Sequence, residues 1–323
     1  MTEPASFDLR SRTVWVAGHG GMVGSAVVRR LDQESIVKVV SATSNEVDLT
    51  RQSETEEFVM SARPDVAVIA AAKVGGIHAN RTAQADFLYD NMMIAANCLR
   101  ACHLAGVKKV AVLGSSCIYP AESQQPIKEE YLLTGPLEQT NEGYAIAKIA
   151  ALEYGRMLRR QYQMDVISLM PTNLYGPRDN YDLETSHVLP ALIRKTHEAK
   201  RDNRPTITLW GSGRPRREFL HVDDLADAVI FSLENYSADE HLNIGTGVDI
   251  PILELAHLIG QVVGWEGEYV FDSTMPDGVS RKLLDVSKLE DLGWTAPTDL
   301  VNGIRMTYQT FLGEHAENQA GTG

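Results

Sequence analysis

Short apolar runs alternate with longer amphipathic segments through the first half of the chain. The runs are rich in β-branched residues and predict strands at Thr13–Ala17, Ile36–Val40, Val66–Ile69, Val110–Leu113 and Val166–Leu169. The amphipathic segments between them predict helices, among them Met22–Leu31, Asp90–Ala105 and Tyr144–Gln161. Strands that are apolar throughout and separated by helices are typical of a parallel sheet covered on both faces. We therefore expect an α/β fold with a Rossmann-type, doubly wound parallel sheet.

The pattern changes after Gly176-Pro177, and from Pro251 onward the predicted elements become shorter. This change predicts a second, smaller C-terminal α/β domain that binds the substrate. We expect the dinucleotide-binding domain to comprise residues 12–175 with 218–247, and the substrate domain residues 176–217 with 248–313. The polar ends, residues 1–11 and 314–323, are expected to be flexible.

Composition and charge narrow the classes of partner. The 323 residues carry a net charge of −13, which argues against nucleic acid or an anionic membrane as a general partner. Three cysteines, an odd number, fit a reducing compartment better than a disulfide framework, so we expect a cytoplasmic protein. The polar N-terminus runs directly into the first strand, which predicts no signal peptide. The longest apolar run, Val66–Ala72, is far shorter than the ~20 residues of a membrane helix.

A glycine-spaced turn follows the first predicted strand. Gly18, Gly21 and Gly24 stand three residues apart between that strand and a helix start. Glycines there let the backbone approach a pyrophosphate, whose charge then lies at the positive end of the helix. A purely structural turn is the alternative, and the β/α setting favours the nucleotide site. Its expected cofactor contacts are Gly18, Gly20, Gly21, Met22, Val23 and Gly24.

The end of the second predicted strand usually separates the two nicotinamide cofactors. An acidic residue there favours NAD, and an arginine favours the 2′-phosphate of NADP. Ser41–Asn45 offers neither, but its small hydroxyl side chains can hydrogen-bond a phosphate, and no carboxylate precedes Glu46. The segment favours NADP(H), with NAD(H) as the alternative.

Three residues suit proton donation to a carbonyl during hydride transfer. Tyr144 and Lys148 are four residues apart, so they share one face of a helix. A nearby ammonium is expected to lower the pKa of the phenol, and Lys148 can also hydrogen-bond the nicotinamide ribose. Ser115, just past the fourth predicted strand, adds a second donor to the substrate oxygen. An ordinary surface pair is the alternative for Tyr144 and Lys148, and the nucleotide fold argues against it.

The glycine turn, Ser115, Tyr144 and Lys148 together resemble the extended short-chain dehydrogenase/reductase family of nucleotide-sugar enzymes. Four longer blocks resemble, within it, the GDP-L-fucose synthase family: residues 70–77, 113–120, 171–177 and 217–224. The similarity runs from Thr13 to Phe311. It implies inversion of C3 and C5 in GDP-4-keto-6-deoxy-D-mannose, followed by NADPH-dependent reduction of the C4 ketone.

The resemblance also assigns roles to single residues. It implies that Cys117 and His187 are the base and the acid of inversion, beside Ser115, Tyr144 and Lys148. The implied substrate contacts are Asn173, Lys195, Trp210, Arg217 and Asp277. Further implied cofactor contacts are Leu113, Gly114, Ser115, Ser116, Lys148, Pro171, Thr172, Asn173, Leu174 and His187. The other histidines show no pairing at metal-ligand spacing, so no metal site is expected.

Quaternary structure depends on two predicted helices. Asn91–Ala105 and Ala145–Tyr162 carry broad apolar faces, with Met92, Met93 and Leu99 on the first, and Ile146, Ile149 and Leu152 on the second. Two such helices predict a homodimer if they pack against the same pair of a second subunit. The alternative is that these faces only cover the sheet.

The chain departs from the family at two positions that concern the cofactor. The family usually has Arg where this chain has Gly20, and usually has Arg after the second strand, where it has Ser41–Ser44. We therefore expect a smaller preference for NADPH over NADH than in arginine-bearing relatives. A related nucleotide-sugar enzyme, such as one making GDP-colitose, is an alternative function, and a non-catalytic dinucleotide sensor is another.

Overall fold

The computed structural model describes residues 7–34, 38–272, 274 and 277–320, and within them all side chains except those of residues 77–78 and 315–320. The strands are β1 (Thr13–Ala17), β2 (Lys38–Val40), β3 (Val66–Ile69), β4 (Lys109–Leu113), β5 (Asp165–Pro171), β6 (Asn173–Tyr175), β7 (Thr206–Trp210), β8 (Arg216–His221), β9 (Leu242–Ile244), β10 (Asp249–Pro251), β11 (Glu268–Asp272) and β12 (Arg281–Lys282). The helices are α1 (Met22–Asp32), α2 (Gln52–Ala62), α3 (Ile77–Thr82), α4 (Gln84–Leu104), α5 (Glu142–Tyr162), α6 (Val188–Arg201), α7 (Val222–Asn235), α8 (Ile252–Val263), α9 (Ser287–Asp291) and α10 (Leu300–Ala320).

Six strands form one parallel sheet in the order β2-β1-β3-β4-β5-β9. The five strands predicted in the first half are its first five strands. For the second of them, residues 36–37 lie outside the described residues. Ala17 pairs with Ile69 and Leu113 pairs with Leu169, so the carboxyl ends of β1, β3, β4 and β5 meet at one edge.

Apolar residues bury both faces of this sheet, which confirms the doubly wound fold. On one face Val27 and Leu31 of α1 pack with Val229 of α7 against the strands. On the other face the cover comes from α2, α4 and α5, with Leu99 fully buried. Both faces of the parallel sheet are therefore covered by helices, which explains why its strands are apolar throughout.

A second, smaller set of strands lies beyond the main sheet. β8 pairs with β6, β10 and β12, and β7 pairs with β11. The helices α6, α8 and α10 supply their own apolar core here, including Leu192, Ile259 and Phe311. β6 and most of β8 fall within segments expected to belong to the dinucleotide domain, yet they pair with each other here. The domain boundaries themselves remain a prediction.

The described part of the N-terminal segment packs against the rest of the chain. Leu9 is buried, and the Phe7 amide donates a hydrogen bond of 2.8 Å to the Glu234 carbonyl. Helix α10 continues to Ala320. The flexibility expected for residues 1–11 and 314–323 remains a prediction, and residues 1–6 and 321–323 lie outside the described residues. Within the described residues, no helix combines the length and the apolar character needed to cross a membrane.

Candidate active site

The glycine turn lies where β1 meets α1. Gly18 has a φ of +82°, and a Cβ added to it would lie 2.6 Å from the Ala71 Cα. A Cβ on Gly24 would lie 2.1 Å from the Gly18 carbonyl oxygen. Side chains at these two positions are therefore excluded, and the bare backbone leaves a cradle at the start of α1. This cradle fits the pyrophosphate of a dinucleotide, because its amides are not covered by side chains.

A second turn follows β4 at the same edge of the sheet. Ser115 is extended and precedes a short 3₁₀ turn, Ser116–Ile118, and its Oγ accepts a hydrogen bond of 3.3 Å from the Cys117 amide. A Cβ on Gly114 would lie 2.1 Å from the Met170 Sδ. The glycine thus lets the end of β4 lie directly against β5. Ser115 and Cys117 are thereby fixed next to each other.

Helix α5 brings Tyr144 and Lys148 to this turn. The Lys148 side chain is buried, and its Nζ donates a hydrogen bond of 2.8 Å to the Leu113 carbonyl. The same Nζ lies 5.6 Å from the centre of the Tyr144 ring. Burial lowers the pKa of Lys148 to about 8, against an attraction to Cys117 that raises it. The four predicted residues Ser115, Cys117, Tyr144 and Lys148 therefore form one cluster.

The phenol of Tyr144 departs from the sequence-based expectation. Burial raises the pKa of Tyr144, and a repulsion from Cys117 adds to the effect. The net shift is opposite to the lowering expected from Lys148, because desolvation dominates. Tyr144 is consequently protonated near neutral pH, which is the form that donates a proton.

The thiol of Cys117 lies among positive charges. Burial raises its pKa, whereas Lys282, a hydrogen bond to Ser115 and Lys148 lower it. Lys282 was missed by sequence reasoning, because it belongs to a two-residue strand far along the chain. Pairing of β12 with β8 places it opposite Arg217. The adjacent basic residues Arg281 and Lys282 were the only signal in the sequence.

His187 lies at the end of the loop that precedes α6. It is the residue before α6, with φ −76° and ψ 168°, and it remains open to solvent on one side. Desolvation lowers the pKa of its imidazole. Gly76, in the loop after β3, holds this loop through a hydrogen bond of 3.0 Å from its amide to the Thr185 carbonyl. His187 is thus positioned by a loop, whereas Tyr144 and Lys148 are positioned by α5.

The expected substrate residues gather in the second set of strands. The Lys195 Nζ lies 5.8 Å from the centre of the Trp210 ring, and that ring is 69% exposed. Both carboxylate oxygens of Asp277 accept hydrogen bonds from Ser212, so Asp277 closes the loop after Trp210. A Cβ on Gly278, the next residue, would lie 3.2 Å from the Arg217 Nη2. These residues are therefore neighbours, joined to Cys117 through Arg217 and Lys282.

The segment Pro171–Leu174 is held by the backbone of Glu218. The Asn173 Nδ2 donates to the Glu218 carbonyl at 2.8 Å, and Pro171 pairs with Ile244 in the sheet. The Glu218 side chain, also fully buried, accepts hydrogen bonds from the amides of Thr246, Gly247 and Leu284. One residue thus fixes the segment beside the expected nicotinamide position and the strand that carries Lys282.

The segment after β2 is less open to a phosphate than its sequence indicates. The Thr43 amide and hydroxyl both donate to Glu46 Oε2, at 2.7 and 2.8 Å. The Thr43 hydroxyl is therefore already hydrogen-bonded, and the Glu46 carboxylate lies in the segment where a phosphate was expected. Gly20, in contrast, has no atom within 4 Å of the place its Cβ would occupy.

Known proteins resemble this chain in sequence and in fold. Residues 14–245 match the model of the NAD dependent epimerase/dehydratase family. The chain belongs to this family. A GDP-L-fucose synthase of Sinorhizobium fredii is 51% identical over 310 residues, covering 96% of this chain and 98% of the relative. A GDP-L-fucose synthase of Escherichia coli is 49% identical over 320 residues, covering 96% and 98%.

Within the epimerase/dehydratase family, similarity to a GDP-L-colitose synthase of Yersinia pseudotuberculosis is lower, at 35% over 303 residues, or 93% of this chain and 98% of that protein. A solved GDP-L-fucose synthetase of Naegleria fowleri, bound to NADP, is 29% identical with a TM-score of 0.88, covering 98% of each chain. The colitose alternative is thus less supported than the fucose synthases.

Proposed function

We propose that this chain converts GDP-4-keto-6-deoxy-D-mannose into GDP-L-fucose, by inversion at C3 and C5 and NADPH-dependent reduction at C4. The observation that carries the proposal is the cluster of Ser115, Cys117, Tyr144 and Lys148 at the sheet edge that also carries the glycine turn. Reduction of a ketone alone does not require a thiol, so the position of Cys117 beside positive charges favours an additional step of proton abstraction. The names of the relatives support the substrate class.

Inversion begins with loss of a proton from a carbon beside the ketone. The negative charge spreads onto the C4 oxygen as an enolate, and hydrogen bonds from Ser115 and Tyr144 stabilise it. Cys117 takes the proton as a thiolate, and His187 returns one from the other side. Burial disfavours the thiolate, whereas the positive charges of Lys282 and Lys148 lower the pKa of Cys117 and favour it.

Reduction uses the same oxygen. NADPH, when bound on the glycine turn, supplies a hydride to C4. The C4 oxygen then becomes an alkoxide, and Tyr144 gives it a proton. The raised pKa of Tyr144 keeps that proton in place until the alkoxide forms. Lys148 holds the turn through the Leu113 carbonyl and can reach the ribose beside it.

The nucleotide half of the substrate is held by the second set of strands. Its pyrophosphate needs local cations in a chain of net charge −13. Arg217, Lys195 and Lys282 are buried or half-buried cations, and burial lowers the pKa of each. Trp210 offers an exposed ring for stacking, and Asp277 fixes the loop that follows it.

We further propose that two copies associate through α4 and α5. Leu99 and Leu152 are fully buried against the sheet, whereas Met92 and Ile146 remain 36% and 40% exposed. Tyr89 and Met157, on the same two helices, are exposed as well. An apolar surface on adjacent helices is what an isologous dimer buries. The three buried free cysteines support a reducing, cytoplasmic setting.

The test is a reaction of the purified chain with GDP-4-keto-6-deoxy-D-mannose, with NADPH and NADH offered in turn. We expect oxidation of the nicotinamide only when the keto sugar is present, with GDP-L-fucose as the product. A product epimerised at neither carbon, or no sugar-dependent oxidation, would contradict the proposal.

A further inference from the structure

One arginine reaches the glycine turn from the loop after β6. Arg178 follows β6 and Gly176-Pro177, and its Nη1 donates a hydrogen bond of 3.3 Å to the Gly20 carbonyl. Its backbone is left-handed, with φ +64°. That conformation is strained for a non-glycine residue. Arg178 is exposed, so its remaining donors are free to meet a ligand.

The turn itself offers little positive charge among its described neighbours. Gly20 occupies the position where the family usually has an arginine. The Arg29 guanidinium on α1 is paired with Asp223 at 2.5 Å. His19 faces Glu46, whose carboxylate is held in place by Thr43. Among these described neighbours, Arg178 supplies a guanidinium that is not paired with a carboxylate, and only one of its donors is used by the Gly20 carbonyl.

We propose that Arg178 binds a phosphate oxygen of the dinucleotide cofactor across the glycine turn. It supplies from the substrate side the positive charge that Gly20 lacks. The inference rests on the proposed function, because it assumes that the turn holds a nicotinamide dinucleotide. The place that a Cβ on Gly20 would occupy has no atom of a non-neighbouring residue within 4 Å, which leaves room for an anion beside the Gly20 carbonyl that Arg178 contacts. A guanidinium and a phosphate form paired, charge-assisted hydrogen bonds.

Cofactor binding without the sugar tests this directly. NADPH and NADH are titrated by their fluorescence against wild type, Arg178→Ala and the control Arg305→Ala, whose guanidinium is exposed on α10 and contacts Asn302. We expect Arg178→Ala to weaken binding about tenfold or more, from the usual strength of a charge-assisted hydrogen bond. Loss for NADPH alone identifies the 2′-phosphate as the partner, and equal loss for both cofactors identifies the pyrophosphate. Arg305→Ala is expected to bind as wild type does.

A second variant separates a phosphate contact from a structural role. Gly20→Arg fits the open space, so adding it to Arg178→Ala is expected to restore binding, while the melting temperature of the free chain stays unchanged. Binding of both cofactors by Arg178→Ala within twofold of wild type would overturn the inference. If wild type itself binds neither cofactor, the proposed function fails instead.

Discussion

Gly76 contacts the loop that leads to His187, and replacing it with alanine tests whether this contact positions His187. The backbone of Gly76 has φ −67° and ψ 178°, which alanine adopts freely, so any effect is steric. An added Cβ would lie 2.7 Å from the Thr185 carbonyl oxygen, about 0.7 Å inside ordinary contact at 3.4 Å. The two backbones must therefore move apart by roughly that distance.

The loop cannot absorb this displacement at Thr185. The Thr185 amide and hydroxyl donate to Asp182 Oδ1, and the Ser186 amide donates to the Asp182 carbonyl. The shift is passed on to His187, two residues after Thr185. A misplacement of about 1 Å can cost about 100-fold in rate, so we expect inversion to slow about 10- to 100-fold. Overpacking is expected to lower the free energy of unfolding by about 1 to 3 kcal/mol.

The assay follows inversion by NMR and reduction by NADPH oxidation on an already epimerised ketone. His187 moves no proton in the proposed reduction step, so at saturating NADPH we expect reduction to fall less than threefold. Gly313→Ala adds the same methyl group where nothing lies within 4 Å and is the matched control. A folded Gly76→Ala protein that inverts at the wild-type rate would refute the reasoning, as would equal loss of both steps.

Four other predictions follow from the same contacts. Because burial raises the pKa of Cys117, inversion is expected to accelerate as pH rises towards that pKa, while reduction follows a different profile; identical pH–rate profiles would contradict the assignment. Lys282→Met removes a cation that lowers the pKa of Cys117, so the rise of the inversion rate with pH is expected to move to higher pH. The exposed control Lys128→Met is expected to leave the pH–rate profile unchanged, and an unchanged profile for Lys282→Met would rule out the coupling between the thiol and this ammonium. The double variant Met92→Glu with Ile146→Glu is expected to halve the mass measured by light scattering, with the exposed Val248→Glu as control; an unchanged mass would exclude this interface. Glu218→Gln is expected to lower the free energy of unfolding in urea titrations by about 2 kcal/mol, because the glutamine side chain has one acceptor oxygen for the three backbone N–H groups that the carboxylate now binds. The exposed control Glu266→Gln is expected to lower it by less than about 0.5 kcal/mol, and equal losses in the two variants would refute this.

Local sequence patterns were enough to predict most of the fold and part of the candidate site. The strands that end at Ala17, Ile69 and Leu113 are apolar on both sides, and that composition is specific for a covered parallel sheet. Tyr144 and Lys148 were recognisable because four residues make one helical turn. The glycine turn was recognisable from spacing alone, since its constraints act between near neighbours.

Contacts between distant segments could not be predicted in this way. Lys282 reaches Cys117 only because β12 pairs with β8, and two residues give no periodicity to read. The net direction of the Tyr144 pKa was not predicted, because it depends on burial, which spacing does not report. The role of Gly76 depends on a loop that approaches it from elsewhere in the chain. Each of these is a tertiary property of the folded chain.

The account depends on one oxyanion pocket in which Cys117 serves inversion and Tyr144 serves both steps. The most direct test is deuterium incorporation at C3 and C5 in D₂O without NADPH, measured for Cys117→Ser beside its rate of reducing an already epimerised ketone. We expect deuterium incorporation to collapse while reduction stays close to wild type. Equal damage to both, or undiminished incorporation, would contradict the central claim.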